Sequence, residues 1–225
     1  MTSPLRVNIE LGKKGKKVVA YAPDWPGWNR GGKTEEVALD AFQQYRSRYR
    51  PIAERAGLAT EFDEQARVEI VERYEGTGST DFWGISYAPS ALDSSAMEPD
   101  DLERRLSLLW ACWRFFDDVA ARVSPELKKG PRGGGRDREA IVRHVLLNER
   151  DWAGGIGVDC PPESILDPDG RNQYREAFVE GLRTYNAEGR KAKTWELSFL
   201  LRHAAYHTLD HAWEMEDKDL TGQDR

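Results

Sequence analysis

The sequence is poor in the residues that make covalent or thiolate frameworks. Its 225 residues include only two cysteines, Cys112 and Cys160, far apart and without a C-x-x-C neighbour. A disulfide scaffold and a thiolate zinc site are both excluded, and a reducing cytoplasm suits the chain. Long apolar runs are also missing, the longest being Leu108 to Trp113. That is too short for a signal peptide or a membrane span, so a soluble, cytoplasmic protein with no membrane partner is expected. No excess of positive charge exists either: the formal net charge is -6. A general nucleic-acid binder needs a basic surface to displace counterions from phosphate, and is not expected. What the chain does have is apolar mass, with 39% hydrophobic residues and eight Trp. This is ample to offset the entropy of ordering.

The first ninety residues have the grammar of mixed strand and helix. Val7-Asn8-Ile9-Glu10-Leu11 alternates with period two, and Val18 to Ala22 follows the basic stretch Lys13-Lys14-Gly15-Lys16-Lys17. The pair predicts a β-hairpin. Asp24-Trp25-Pro26-Gly27-Trp28 predicts a turn, and Thr34 before Glu35 and Glu36 predicts a helix start, with the helix running from about Glu35 to Ala56. A further strand is expected over Ala66 to Tyr74. The order is β-β-α-β.

From Glu98 the grammar becomes helical. Asp100 with Glu103 forms a capping-box signal, and Leu102, Leu106, Leu109, Trp113, Phe116, Ala120 and Val123 recur at spacings of four and three. Lys128 to Arg136, with three consecutive glycines and Pro131, predicts a loop, and Asp137 predicts the cap of the next helix. That helix carries Ile141, His144, Val145, Asn148 and Trp152 on one side. The segment through Asp167-Pro168-Asp169-Gly170 reads as turns, then a third helix spans about Arg171 to Ala187 and a fourth runs from near Thr194 to about Asp217. Four helices with one inward face each predict an up-and-down bundle. The expected fold class is therefore α+β, a domain over 1–92 followed by a bundle over 98–217, divided where Gly76, Gly78, Gly84, Pro89 and Pro99 punctuate the chain.

Three of the four histidines, His203, His207 and His211, lie four residues apart on the last helix. Each step of four turns a helix by about 40°, so they form one stripe. His144 belongs to the inward face of the second bundle helix. Two ring nitrogens at i and i+4 plus a third from a facing helix make a three-nitrogen site for a divalent transition metal. Geometry alone leaves open whether His203 or His211 joins His207. Asp210 and Glu214, each three residues after a histidine, are placed to orient ligand N–H groups. Cys112 and the neighbouring aromatic residues read as core.

Over about residues 98 to 217 the sequence resembles the DinB-like superfamily, also called the YfiT-like putative metal-dependent hydrolase fold. The match is His144 with Glu149-Arg150 and Trp152 on the second bundle helix, and a His-xxx-His pair on the last. The segment Tyr206-His207-Thr208-Leu209-Asp210-His211-Ala212-Trp213-Glu214 is similar to a variant in which the later pair binds, which favours His144, His207 and His211, with His203 in reserve. The resemblance implies a four-helix bundle with a three-His nickel, zinc or iron site, and a thiol-dependent transferase, isomerase or hydrolase using a low-molecular-weight thiol. Pro23-Asp24-Trp25-Pro26-Gly27-Trp28 with Gly32-Lys33-Thr34-Glu35-Glu36-Val37-Ala38-Leu39 resembles the HicB-like family. That likeness implies a small recognition module.

The leading expectation is a metal-dependent enzyme acting on a small-molecule substrate, with Glu149, Asp210 and Glu214 as the carboxylates that move protons. A homodimer is compatible with it. The alternative is a non-catalytic, metal-stabilised binding or stress-related regulatory protein that works through its HicB-like module.

Overall fold

The computed structural model describes residues 3–130, 134–193 and 195–222. Pro131, Arg132 and Gly133 of the expected 128–136 loop, and Thr194 at the expected start of the last helix, lie outside the described residues. The architecture is mixed, a four-stranded sheet followed mostly by helices. Two compact units are distinguished, Met1–Ala111 with Ser198–Tyr206 and Cys112–Leu197 with His207–Arg225. The break expected between 92 and 98 thus falls inside the first unit.

In the first unit, β1 (Leu5–Leu11), β2 (Val18–Tyr21), β3 (Asn29–Gly32) and β4 (Val68–Glu75) form a sheet in the order β3-β2-β1-β4. β1 pairs antiparallel with β2 and parallel with β4, and its register slips between Val7 and Asn8, where the partner residue passes from Ile70 to Glu72. β3 follows the turn expected over Asp24–Trp28, where the sequence predicts no strand. Asn29-Arg30-Gly31-Gly32 has no β-branched residue, and it is a strand because β2 offers its free edge, with Val18 opposite Gly32 and Tyr21 opposite Asn29.

The single helix expected over 35–56 is two, α1 (Glu35–Gln44) and α2 (Arg46–Arg55), interrupted at Tyr45. Thr34 caps α1 as expected, its hydroxyl accepting from the Val37 N–H. Trp28 explains the packing of this pair. Its indole stacks on Phe42 at 4.3 Å and on Tyr49 at 5.3 Å, and its Nε1–H donates to the Phe42 carbonyl at 2.9 Å. The Tyr49 hydroxyl returns to the Pro26 carbonyl at 2.7 Å. Gly27, at φ 96°, makes the intervening turn that a side chain would strain.

A short helix, α3 (Gly78–Trp83), follows β4, and the long α4 (Pro99–Arg122) begins one residue before Asp100. Asp100 is therefore in the first turn of α4, where its charge suits the helix dipole, and not at the cap. The second unit takes the rest of α4 with α5 (Arg138–Ala153), α6 (Pro162–Leu166), α7 (Pro168–Ala187) and the last turns of α8 (Leu197–Asp217). Asp167-Pro168-Asp169-Gly170 opens α7, with Asp167 as cap and Pro168 at the first helical position. Among the described residues no helix is long and apolar enough to cross a membrane.

The polar stripe of α8 in the first unit is buried. Arg202 donates from Nε and Nη2 to both carboxylate oxygens of Asp93 at 2.8–3.0 Å, from Nη1 to the Ser86 hydroxyl and from Nη2 to the Ala88 carbonyl. Burial opposes ionisation of Asp93, but the Arg202 charge and its hydrogen bonds outweigh it and hold the carboxyl below its ordinary range. Breaking such a pair from one side leaves an uncompensated buried charge. Asp93→Ala should lower the stability of the full chain by about 3–5 kcal/mol. Urea unfolding checks this, and a loss below about 1 kcal/mol would mean that the pair supports little of the fold.

Candidate metal centre

The centre is built by two helices of the second unit. Asp137 fixes the start of α5, its carboxylate accepting from the Ala140 N–H at 2.8 Å, and the apolar face Ile141, Val145, Leu146 and Ala153 is buried. That burial sets the rotation of α5 and brings His144, just off the apolar face, toward α8. On α8 the spacing of four stacks His207 and His211 one turn apart, with ring centroids 4.7 Å from each other. The His144 ring lies 5.0 Å from each of them.

The three rings each offer a nitrogen, and these nitrogens lie within 4.8 Å of one another. His207 Nε2 and His144 Nε2 are 3.2 Å apart. Two imidazole nitrogens bound to one tetrahedral ion at 2.0–2.1 Å stand about 3.3 Å from each other. The observed spacing fits. On His211 the Nδ1 position is taken by Glu214, whose Oε2 lies at 2.6 Å, so the Nε2 is left as the ligand atom. Lys218 in turn bonds the other Glu214 oxygen. The His211 contact first, with Lys218 adding to it against the effect of burial, holds the Glu214 carboxyl down to about 2.

His144 is kept neutral. Burial, then the charges of Arg136 and His211, push its pKa down to about 4. Its Nδ1 meets the Asn148 amide at 3.2 Å, and that Nδ2 also donates to the His144 carbonyl at 2.8 Å. A donor at Nδ1 selects the Nε2–H tautomer, which donates to His207 Nε2. Were His144 Nε2 to hold a cation in place of this shared proton, the ring hydrogen would sit on Nδ1 and Asn148 would have to present its oxygen to it. Trp152 closes one side, its ring 5.0 Å from His207 and nearly perpendicular to it.

Three predicted residues stand elsewhere. His203 is not in the group: one turn before His207 the stripe has rotated away from His211, and its buried ring stacks on Phe199 at 5.4 Å with Tyr87 edge-on at 5.3 Å. Glu149 is one percent exposed and lies in the helix core, 3.6 Å from Arg175, which Asp117 also holds. Burial pushes its carboxyl up to about 7 against the pull of Arg175. Asp210 is half-buried and outside the group, about 60° around α8 from His207 and about 100° from His211. Of the three carboxylates, Glu214 alone is brought to the histidines. Asn148 and Lys218 were not foreseen in their roles, although each lies four residues after its partner, the spacing at which helix side chains meet.

Known proteins offer no guide to the centre. No protein family, curated protein or solved structure matches this chain. The chemistry must be read from the residues. Three imidazoles without a thiolate suit zinc, nickel or iron in the divalent state over calcium or magnesium, which prefer oxygen.

His203 gives a pH signature separate from the centre. Burial, then the Arg202 charge, push its pKa down to about 3. An unfolded histidine takes up its proton near pH 6.5, so between that value and about pH 3 the unfolded chain binds more protons than the folded one. Stability is full above pH 6.5 and falls on acidification. In urea titrations at pH 7 and pH 5, His203→Gln should show a smaller acid loss than the parent; equal losses would show that His203 is protonated in the fold.

Proposed function

We propose that this protein is a metal-dependent enzyme of the DinB-like kind, with one divalent zinc, nickel or iron ion held by His144, His207 and His211. The observation that carries the reading is the 4.8 Å grouping of three ring nitrogens from two helices. When bound, such an ion supplies Lewis acidity that lowers the pKa of a water or low-molecular-weight thiol toward neutrality. Three protein ligands leave room for that fourth partner.

The surrounding residues then have separate tasks. Glu214 accepts from His211 Nδ1–H and fixes that ring, while Lys218 keeps the carboxylate ionised. Asn148 sets the orientation of His144. Trp152 shields the His207 edge from water. Glu214 is the carboxylate best placed to hold a proton beside the ligands, and the substrate is a small molecule. The first unit, a sheet closed by a parallel β1–β4 pair after the α1–α2 crossover, is compatible with a HicB-like recognition module. A non-catalytic role has one observation in its favour, the direct His144–His207 hydrogen bond, which completes the cluster as a structural contact.

Metal analysis of protein purified in metal-replete medium tests the centre. One equivalent is expected for the parent and for His203→Ala, and a loss of most metal from His207→Ala and His211→Ala; metal retained in His207→Ala would contradict the site. Asn148→Asp, which supplies an acceptor for His144 Nδ1–H, should tighten metal binding about tenfold in chelator competition. Thiol consumption across a panel of electrophiles then separates the two readings, since turnover by the loaded chain alone supports the enzyme, and stoichiometric metal without turnover supports the structural role.

A further inference from the structure

The end of the sheet in the first unit where β1 turns into β2 has a composition that the metal centre does not use. Asp81, in α3, clasps that turn: its carboxylate accepts from the Lys14 N–H at 2.7 Å and the Lys16 N–H at 2.8 Å. Lys17 Nζ donates to the Phe82 carbonyl at 2.8 Å. At the other end of α3, Gly31 of β3 approaches so closely that an added Cβ would stand 2.3 Å from the Gly84 carbonyl oxygen. Thr77 and Thr80 close the start of α3 with a reciprocal capping box. The short helix is thus tied to the sheet on three sides.

Held this firmly, α3 nevertheless leaves its two largest side chains in water. Phe82 is 69% exposed and Trp83 64%, and their rings contact each other edge to face at 4.5 Å. Leu11, at the same end of β1, is 38% exposed. Around them Lys13, Lys14 and Lys16 are exposed, and Lys33 leaves β3 at this end, since Gly32 pairs with Val18. Asp81 is engaged by backbone N–H groups, and Glu75, opposite Leu11, is the acidic side chain in register here. In a chain of net charge -6 this is a local reversal of sign.

We propose that this tip, Phe82 and Trp83 ringed by Lys13, Lys14, Lys16 and Lys33, docks the protein on the surface of an anionic lipid bilayer. The apolar part is three side chains, far less than the ~800 Å² that each partner buries in a stable protein interface. It is enough for a bilayer, where Trp and Phe settle at the headgroup level and lysines gain from anionic lipid. The edge-to-face pair also lacks the successive open ring faces on which single-stranded bases stack. Docking of this kind needs no spanning helix, and it revises the expectation that the chain has no membrane partner.

Co-sedimentation of the full chain with vesicles tests the surface. Vesicles with about one-third phosphatidylglycerol in phosphatidylcholine should bind at least tenfold more protein than phosphatidylcholine alone, and added salt should weaken the binding. Replacing Lys13, Lys14 and Lys16 together by Gln should cost on the order of 100-fold, at roughly fivefold per lysine. The double change Phe82→Ser with Trp83→Ser should cost more than tenfold. No binding, equal binding to both vesicles, or unchanged binding by the variants would overturn the proposal. So would tighter binding of a single-stranded oligonucleotide, or a dimer that the Phe82/Trp83 variant converts to monomer in sedimentation. Should a variant fail to fold, the unmodified chain decides: brominated anionic lipid should quench part of its Trp emission, and an absence of quenching would overturn the docking.

Discussion

The approach of His144 to His207, nitrogen to nitrogen at 3.2 Å, is the constraint on which the functional reading depends. Two imidazoles at that distance must share either a proton or a cation, because both rings cannot carry a hydrogen or a charge toward each other. Burial and the charges of Arg136 and His211 keep His144 unprotonated, so the pair is held in the form that accepts a metal. His211 completes the set from the next turn of α8, and the Glu214–Lys218 pair fixes which of its nitrogens faces inward. Removing the contact would leave three ordinary helix-face histidines.

The buried charges of the chain do different work in different places. In the first unit Arg202 is held by Asp93, Ser86 and the Ala88 carbonyl, and Glu10 accepts from Thr80, Ser86 and Tyr74, so Ser86 joins the two charged groups into one bonded system. In the second unit Arg175 sits between Asp117 and Glu149. Neither arrangement offers an ion a cluster of free ligand atoms. The histidine group differs in being half-buried with three ring nitrogens within 4.8 Å of one another, which is the arrangement a metal site needs.

Much of this was legible in the sequence where local signals were strong. The i, i+4 spacing of His207 and His211, the inward position of His144, the Thr34 and Asp137 caps and the four long helices could all be read from residue type and period. β3 could not, because Asn29-Arg30-Gly31-Gly32 owes its strand to a neighbouring edge and not to its own propensity. The interruption at Tyr45 left no helix-breaking residue in the sequence at that point. The pairing of Arg202 with Asp93 joins residues more than a hundred positions apart, and only the tertiary fold brings them together. For Glu149 the sequence position beside the ligand helix face was misleading, since a residue five positions after His144 has turned toward the Arg175 side of α5.

X-ray absorption at the edge of the bound metal tests the central claim most directly. The account predicts three nitrogen neighbours at about 2.0–2.1 Å with the outer-shell scattering of imidazole. Sulfur neighbours at about 2.3 Å, or a purely oxygen environment without imidazole scattering, would contradict it.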